Sequence, residues 1–330
     1  MALENGTGTM HAILQSAYGS PGAVLTWGVA PRPVPKPDEV LVRVRASSLN
    51  FADVAVVTGR PSLIRMVTGL LRPRHRLPGK DVAGTVETIG AEVTDLAVGD
   101  EVYAEADHGG WAQYVCLPAK LVARKPGNLS FAEAAAVPLA GGTALRCVET
   151  VEPGQRVVVN GASGGVGTFA VQLAKARGAE VTAVCSGRNA DAARELGADH
   201  VVDYDRSDFT SNGRRYDVVV DLVGNRTLGA CRRALTPRGT LVMSSGGGGR
   251  VIGPMGRIVR AVVLNPFVGQ HLRPLAVTRS RANLDRLREL IEAGHVTPAV
   301  ERTYPLSDAA EALRRLQDEH ARGKTVLTVA

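Results

Sequence analysis

A glycine-rich turn, Gly161–Gly167, is the part of the sequence that most clearly indicates chemistry. It follows the apolar run Val157–Val159 directly and precedes an amphipathic segment, which is the strand–turn–helix context that such a motif needs. Gly164 and Gly165 would let a pyrophosphate approach the backbone, and Gly167 would let the following helix pack on the strand. Free N–H groups at the start of that helix would face the phosphates. The pattern predicts a dinucleotide site; the alternative is a tight strand-to-helix turn without a ligand.

The end of the next predicted strand indicates which dinucleotide binds. A carboxylate about 20 residues after the motif would bond the ribose 2′-hydroxyl, whereas an arginine would accommodate a 2′-phosphate. The strand ends in Ser186-Gly187-Arg188, which contains no carboxylate. Ser186 can donate a hydrogen bond and Arg188 brings positive charge, so the sequence favours NADPH. The alternative is that Arg188 lies on a solvated loop.

Strands and helices alternate after residue 155, which is typical of a parallel sheet covered by helices on both faces. The predicted strands are 156–160, 180–185, 200–203, 217–222 and 239–244, and the predicted helices are 166–177, 189–196 and 228–235. The chain then changes again, with predicted helices at 284–293 and 307–320 and strands at 298–302 and 324–329. We expect this last segment to rejoin the first domain.

Residues 10–135 have a different pattern, with short alternating strands separated by Gly, Pro and Asp, as in a barrel-like β domain. A capping box at Ser130–Glu133 begins an Ala-rich helix, which we expect to break near Pro138 and to resume at 143–150. Residues 62–76 interrupt the β pattern, because the apolar, helix-like Ser62–Leu71 precedes the basic run Arg72–Arg76. This segment is interpreted as a loop or short helix over a pocket, or else as a surface excursion with one buried face.

The composition argues against several classes of protein. The chain has 330 residues, of which 45% are hydrophobic, enough for two domains. Its net charge is +7, but basic and acidic residues are interspersed and no nucleic-acid-reading motif occurs, so we do not expect nucleic-acid binding as the main role. The four cysteines are scattered, without a C-x-x-C pair. Without a signal-peptide pattern or a run of 18 apolar residues, we expect a cytoplasmic protein with no membrane span.

Several motifs together resemble the medium-chain dehydrogenase/reductase superfamily, in its zinc-free quinone oxidoreductase branch. Besides the glycine turn, they are 48–53, 79–84, 138–144, 196–204, 221–224 and 294–305. The resemblance implies an α/β architecture: a GroES-like β-barrel catalytic domain (1–134, completed by 282–330) and a Rossmann domain with a doubly wound parallel sheet (135–281). It also implies an active site between the domains and a homodimer formed through edge strands around Pro266–Val277.

Residue types at the metal positions point away from zinc. Relatives that bind catalytic zinc use a thiolate, a His and a Glu, whereas this chain has Asn50 in place of the thiolate and Lys80-Asp81 in place of the His-Glu pair. The segment after Asp100 also lacks the cysteine cluster of the structural zinc site. Because zinc needs nitrogen or sulfur ligands at suitable spacing, we expect no metal. Without a Lewis acid, the easier substrates are electron-poor acceptors, namely quinones or alkenes conjugated to a carbonyl.

The resemblance also assigns residues. Asn50 matches an asparagine that faces the nicotinamide and substrate, although a buried structural Asn is an equal alternative. Asp53 is expected to order the loop. Apart from the resemblance, His108 lies beside Asp107 and two glycines and is the only plausible proton donor of its loop, with a structural role as the alternative. The expected cofactor contacts are Asn50, Thr143, Ser163, Gly164, Gly165, Val166, Ser186, Arg188, Tyr204, Val223, Ser245, Gly246, Asn265, Pro266, Phe267 and Lys324. For Lys324, an ordinary surface lysine is the alternative.

Three functions remain open at this point. The first is an NADPH-dependent quinone reductase, and the second is an enoyl or alkenal reductase, which could serve secondary metabolism. The third is a non-catalytic relative that binds NADPH. This third option stays open because Ala55 stands where related enzymes often carry an aromatic residue five positions after the asparagine.

Overall fold

The computed structural model describes residues 8–244, 255–276, 278–319 and 322–330. The N-terminal part contains strands β1 (Thr9–Gln15), β2 (Leu25–Pro31), β3 (Glu39–Leu49), β4 (Asp81–Ile89), β5 (Glu101–Glu105), β6 (Tyr114–Pro118) and β7 (Ala123–Arg124). Its helices are α1 (Pro21–Val24), α2 (Phe51–Thr58), α3 (Arg65–Thr68) and α4 (Phe131–Ala135). The β-rich character expected for this part of the chain is confirmed.

The remaining chain alternates strands and helices before returning to the first sheet. The strands are β8 (Arg156–Asn160), β9 (Glu180–Cys185), β10 (His200–Asp203), β11 (Tyr216–Asp221), β12 (Leu235–Met243), β13 (His271–Pro274), β14 (Val300–Pro305) and β15 (Lys324–Thr328). The helices are α5 (Pro138–Cys147), α6 (Gly165–Ala176), α7 (Ala190–Glu195), α8 (Leu228–Ala234), α9 (Met255–Leu264), α10 (Arg281–Glu292) and α11 (Ala309–Asp318).

Six parallel strands form one sheet in the order β10-β9-β8-β11-β12-β13. Numbered along the chain, this order is 3-2-1-4-5-6, which is that of the Rossmann fold. The valines of β8 and β11 are fully buried, as expected of strands covered by helices on both faces. The carboxyl ends of all six strands lie at one edge, where such folds bind ligands.

A mixed seven-stranded sheet has the order β14-β15-β3-β4-β5-β7, with β6 also paired to β3. Along one edge, the long strand β3 pairs with two strands: its first half pairs with β6 and its second half with β15. The C-terminal strands therefore do rejoin the first domain. Helix α4 packs on β3 and β4, whereas α5 packs on α6; we keep 134/135 and 281/282 as proposed domain boundaries.

Local details agree with the sequence-based expectation in some places and differ in others. The Ala-rich helix resumes at Pro138 rather than at 143, since proline is well tolerated in the first helical turn. The capping box at Ser130 is confirmed, with Glu133 accepting from the Ser130 backbone N–H at 2.9 Å. Residues 62–76 contain one 3₁₀ turn (Ser62–Ile64) and the single-turn helix α3. Helix α9, which no sequence signal indicated, precedes the edge strand β13.

None of the helices in the described ranges is long and apolar enough to cross a membrane.

Tyr103 of β5 ties the returning C-terminal segment to the N-terminal part of the catalytic domain, because its hydroxyl donates to the carbonyl of Leu284 in α10 and the residue is fully buried. Tyr103→Phe should lower the free energy of unfolding by about 0.5–1.5 kcal/mol, the usual value of such a bond. Chemical denaturation measures this loss. Tyr204→Phe, which removes the hydroxyl of an exposed ring, is the control and should lower the free energy of unfolding by less than about 0.5 kcal/mol. Equal losses in the two variants would contradict a stabilising hydrogen bond between Tyr103 and Leu284.

Candidate active site

The glycine turn has the backbone geometry that a phosphate site requires. Gly161 has a φ of +92°, which favours glycine, and helix α6 begins at Gly165. An added Cβ at Gly167 would lie 2.1 Å from the carbonyl oxygen of Gly161, so only glycine lets the helix pack this closely on the turn. Val223, which follows β11, lies beside Gly161. The first N–H groups of α6 thus point out of the carboxyl edge of the sheet, where they can bind an anion.

The C-terminal segment lies against this turn. The Gly323 N–H donates to the carbonyl of Ser163 at 2.8 Å, and Gly164 forms a parallel β-bridge with Gly323. A Cβ added to Gly165 would come within 2.9 Å of Cδ of Lys324. The aliphatic part of Lys324 therefore packs on the glycine turn, so the Ser163–Val166 residues and Lys324 are brought together.

The ammonium of Lys324 continues into the first domain, where it is buried. Its Nζ donates to the Leu49 carbonyl at 3.0 Å, to Oδ1 of Asn50, and to Oδ2 of Asp81 at 3.3 Å. The Lys324 and Asp81 side chains are 2% and 0% exposed. All three N–H donors of the ammonium have partners, as a buried charge requires. Lys324 is thus not an ordinary surface lysine.

Asp81 is the acceptor at the centre of this network. Its Oδ2 accepts from the Ser48 hydroxyl at 2.6 Å and from Nδ2 of Asn50 at 2.9 Å, and its Oδ1 accepts from the Leu139 N–H at 2.8 Å. Leu139 lies in the first turn of α5, one turn before Thr143, whose hydroxyl donates to the Leu139 carbonyl. Asp81 thereby fixes the start of the helix that carries Thr143.

Asn50 and Asp53 are adjacent parts of the same network. Asp53 accepts from the Asn50 backbone N–H at 2.8 Å, which orders the start of α2. The Asn50 side chain donates to Asp81 and accepts from Lys324, so both ends of its amide bind protein groups. This arrangement favours the structural alternative for Asn50, and its contact with a nicotinamide or substrate stays a prediction.

Two carboxyl groups near Asp81 are hard to ionise. Burial, followed by the Asp81 charge, raises the pKa of Asp53 to about 7. The same two causes raise the pKa of Glu105, which pairs with Asp81 across β4 and β5, to about 7. Near neutral pH, either group can therefore hold a proton beside the network.

The donor set at the zinc positions does not fit a zinc ion. Asn50 and Asp81 are hydrogen-bonded to each other, and the ammonium of Lys324 lies against both. A metal ion there would have one amide and one carboxylate as its ligands. Zinc prefers thiolate and imidazole nitrogen with at most some carboxylate. The buried charge of Asp81 is instead balanced by Lys324.

His108 lies outside this network. Its ring stacks on that of His75 with a centroid distance of 3.6 Å, and its Nδ1 lies 3.8 Å from Asp107. Burial, followed by the His75 charge, lowers the pKa of His108. In the described part of the chain, potential metal-ligand atoms of His75, Asp107 and His108 come within 4.8 Å of one another, but the nearby Lys80 and Arg279 oppose a cation. A role for His108 as proton donor stays a prediction.

Ser186, Arg188 and Tyr204 lie together at the carboxyl ends of β9 and β10. The Tyr204 N–H donates to the Cys185 carbonyl, and Ser186 is buried. Arg188 lines a cavity of about 440 Å³ with four residues of the C-terminal segment: Glu301, Arg302, Glu319 and Arg322. Sequence reasoning missed Asp203, whose carboxylate lies 2.7 Å from the Cβ position of Gly187. The β9–β10 register brings it there, which no linear motif would reveal.

Two groups of predicted cofactor contacts remain to be placed against the structure. Ser245 and Gly246 lie outside the described residues. Asn265, Pro266 and Phe267 precede β13, and the Asn265 side chain accepts from the Leu272 N–H at 2.7 Å. They lie toward the amino end of a parallel strand, opposite the edge that carries the glycine turn, so the structure does not bring them to the site. At that edge β13 ends in Pro274, and the Leu275 N–H bonds the Met243 carbonyl.

Comparison with known proteins agrees with this architecture. Residues 36–127 match the alcohol dehydrogenase GroES-like domain model, and residues 196–327 match the model described as zinc-binding dehydrogenase. The chloroplast envelope quinone oxidoreductase homolog of Arabidopsis thaliana is 32% identical over 96% of this chain and 98% of the relative. The NADPH-dependent alkenal/one oxidoreductase of the same plant is 33% identical over 96% of this chain and 79% of the relative.

A solved quinone oxidoreductase from Coxiella burnetii has the same fold, with a TM-score of 0.85, 28% identity, and coverage of 98% of this chain and 100% of that one. The fold and site define a two-domain oxidoreductase with a nicotinamide dinucleotide-binding sheet. The chain belongs to the medium-chain dehydrogenase/reductase superfamily, as its family matches and its quinone oxidoreductase-like relatives show.

Gly167→Ala should weaken cofactor binding, because its Cβ would force the turn and α6 apart. Overpacking of this kind costs about 1–3 kcal/mol. Titration of the protein with NADPH, followed by fluorescence, measures the dissociation constant. Gly256→Ala, at a helical position with open space around it, is the control and should bind like the parent. An unchanged dissociation constant in Gly167→Ala would place the phosphate site elsewhere.

Asp53→Asn should change how stability depends on pH. Because the folded-state pKa of Asp53 is raised to about 7, this carboxyl ionises in the unfolded chain but stays protonated in the folded protein between about pH 4 and 7, so the parent loses stability as pH rises through that window. Relative to the parent, Asp53→Asn should gain free energy of unfolding as pH rises through this window and level off above it. The exposed Asp38→Asn is the control. A gain that shrinks with rising pH would mean that Lys80 and Lys324 hold Asp53 ionised.

Proposed function

We propose that the protein transfers hydride from NADPH to quinones. The observation that carries the proposal is the buried Asp81–Lys324 pair, which joins a dinucleotide-binding turn to the position where zinc-dependent relatives hold their metal. A site without a Lewis acid suits acceptors that are already electron-poor, because the acceptor itself takes up the developing negative charge. Similarity to proteins named quinone oxidoreductase supports this choice.

The chain's own residues would bind, orient and protonate. The glycine turn and the first N–H groups of α6 would hold the pyrophosphate, and Thr143 is presented by a helix that Asp81 fixes. NADPH supplies the hydride when it is bound. Once hydride has been transferred, one proton completes the hydroquinone, and Glu105 and Asp53, with pKa values of about 7, can hold such a proton near neutral pH. The buried network would keep water and loop motion away from the reacting groups.

Preference for the phosphorylated cofactor is supported by charge at the adenosine end. Three arginines, Arg188, Arg302 and Arg322, line the 440 Å³ cavity, and only two glutamates oppose them. A 2′-phosphate placed there would form charge-assisted bonds with the guanidinium groups. Asp203 works in the opposite direction, since its carboxylate repels a phosphate and can bond a free 2′-hydroxyl.

Removing the positive charge of Arg188 or the negative charge of Asp203 tests the preference for NADPH over NADH. Arg188→Ala should weaken NADPH binding roughly tenfold to a hundredfold while leaving NADH binding almost unchanged, because one charge-assisted contact is lost. Asp203→Asn should shift the preference further toward NADPH. Dissociation constants for both cofactors measure the ratio, with Arg233→Ala as the exposed-arginine control. A ratio that neither variant changes would show that another group selects the cofactor.

An alkenal reductase is the second candidate, favoured by the relative named as an NADPH-dependent alkenal/one oxidoreductase. Oxidation of NADPH with a para-quinone and with an α,β-unsaturated aldehyde, followed side by side, separates the two. We expect turnover of the quinone and little or none of the aldehyde. Reduction of the aldehyde alone would support the second candidate. Tight NADPH binding with no turnover of either acceptor would favour a non-catalytic member of the superfamily.

We further propose a homodimer and a reducing compartment such as the cytoplasm. Strand β13 is the edge of the six-stranded sheet, within the range 266–277 where the resemblance implies subunit contact, and a second copy could extend the sheet there. The exposed Phe267 and Val263 lie near this edge. The four cysteines are free and three of them are buried, which suits a reducing compartment.

A further inference from the structure

Residues 60–76, here called the basic loop, carry an unusual combination of charge and exposure. From residue 54 to residue 80 the sequence has no Asp or Glu, and its six Arg and Lys residues are Arg60, Arg65, Arg72, Arg74, Arg76 and Lys80. All but Arg65 and Lys80 are exposed. The chain as a whole has 32 Asp and Glu against 39 Lys and Arg, so a stretch without any acidic residue is a local concentration of positive charge.

Large apolar side chains project from the same loop. Met66 is 72% exposed, Val67 73%, Leu70 70% and Leu71 86%, and Leu63 is also exposed. An exposed apolar side chain is common on its own, but a contiguous group rimmed by charge marks an interaction surface. The stretch 54–80 contains no Phe, Tyr or Trp, so it offers no stacking platform for bases.

The loop is anchored to the first domain from beneath. The Tyr18 hydroxyl donates to the Gly69 carbonyl at 2.7 Å and lies 2.8 Å from the Thr68 hydroxyl. The guanidinium of Arg65 stacks over the Tyr18 ring. The Arg74 N–H donates to the Thr68 carbonyl at 2.7 Å, and the loop closes so tightly that a Cβ at Gly69 would meet the Arg72 carbonyl oxygen at 2.1 Å. Leu70 and Leu71 therefore form a fixed tip.

We propose that the basic loop docks the protein on an anionic lipid bilayer. The tip residues Leu70 and Leu71, with Met66 and Val67, would enter the headgroup region, and the surrounding arginines would bind lipid phosphates. This is the pattern of an interfacial anchor, in which buried apolar area and attraction to anionic lipids act together. Charge complementarity favours this occupant over a second copy of the chain, since a two-fold contact would bring two equally basic loops together.

Docking would place the candidate active site near the membrane. The chain runs from the basic loop through Leu77, whose carbonyl accepts from the Gly109 N–H at 2.8 Å, to Lys80 and Asp81. Within the loop, His75 stacks on His108. An apolar quinone dissolved in the bilayer would then have a short path to the site. This consequence rests on the proposed function, whereas docking itself does not.

Flotation of the full-length protein with lipid vesicles tests the proposal. The vesicles are made of phosphatidylcholine alone or of phosphatidylcholine mixed with phosphatidylglycerol. We expect binding to the anionic vesicles only, with an affinity that falls as salt is raised. The triple variant Arg72→Gln, Arg74→Gln, Arg76→Gln should lower the partition coefficient roughly a hundredfold. Leu70→Glu with Leu71→Glu should abolish binding.

Matched controls separate the loop from general surface properties. Arg43→Gln, Arg233→Gln, Arg238→Gln removes the same number of exposed charges elsewhere, and Val34→Glu with Val98→Glu changes exposed apolar residues elsewhere. Both controls should bind vesicles nearly as well as the parent. Thermal unfolding and the NADPH dissociation constant verify that every variant is folded. Because the test measures vesicle binding and not quinone turnover, its failure is distinguishable from a failure of the proposed function.

Four outcomes would overturn the proposal. One is the absence of binding to anionic vesicles, and another is equal loss in the loop variants and the controls, which would indicate diffuse attraction. The third is self-association, detected by sedimentation and lost in the Leu70–Leu71 variant, without vesicle binding; the loop would then be a contact between copies. Binding of nucleic acid that the arginine variant removes, again without vesicle binding, counts equally against it.

Discussion

The buried pair of Lys324 and Asp81 is the interaction on which the rest of the site depends. Transferring two charges out of water is costly, and their mutual attraction compensates only if the remaining donors and acceptors are satisfied. Here they are: the ammonium donates to Leu49, Asn50 and Asp81, and the carboxylate also accepts from Ser48 and Leu139. The pair thus fixes β3, β4, β15 and α5 at one point. Because the stem of the same lysine packs on Gly165, that point is also joined to the dinucleotide turn.

This arrangement explains other properties of the site. Since the amide of Asn50 bonds both members of the pair, it is held in one orientation, and Asp53 completes the cap of α2 behind it. The Asp81 charge contributes to raising the pKa of Asp53 and Glu105, so one ionised carboxylate keeps two neighbours able to hold protons near neutral pH. Zinc-dependent relatives bind a metal ion at this position. In this chain the positive charge beside Asp81 is the ammonium of Lys324.

Local patterns were sufficient to predict the parallel sheet, the glycine turn and the capping box at Ser130, because each depends on residues close together in the sequence. They could not reveal that Lys324 meets Asp81, since 243 positions separate the two and a lysine before a closing strand is common on surfaces. Asp203 was missed for the same reason: it reaches Gly187 through strand register. Asn265–Phe267 were assigned to the cofactor by resemblance alone, although the direction of β13 places them toward the opposite end of the sheet. The role of Asn50 was left between two alternatives, because its bonding partners come from distant strands.

A double-mutant cycle on Asp81→Asn and Lys324→Met, measured by chemical denaturation together with the NADPH dissociation constant, tests the central claim most directly. If the pair fixes the site and its contact with the dinucleotide turn, each single variant should lose about 3–5 kcal/mol, because it leaves one buried charge without a partner. The double variant should then lose much less than the sum of the two, and Lys324→Met should also weaken NADPH binding. Losses that add within about 0.5 kcal/mol, with NADPH binding unchanged, would show that the two residues act independently and would contradict the account.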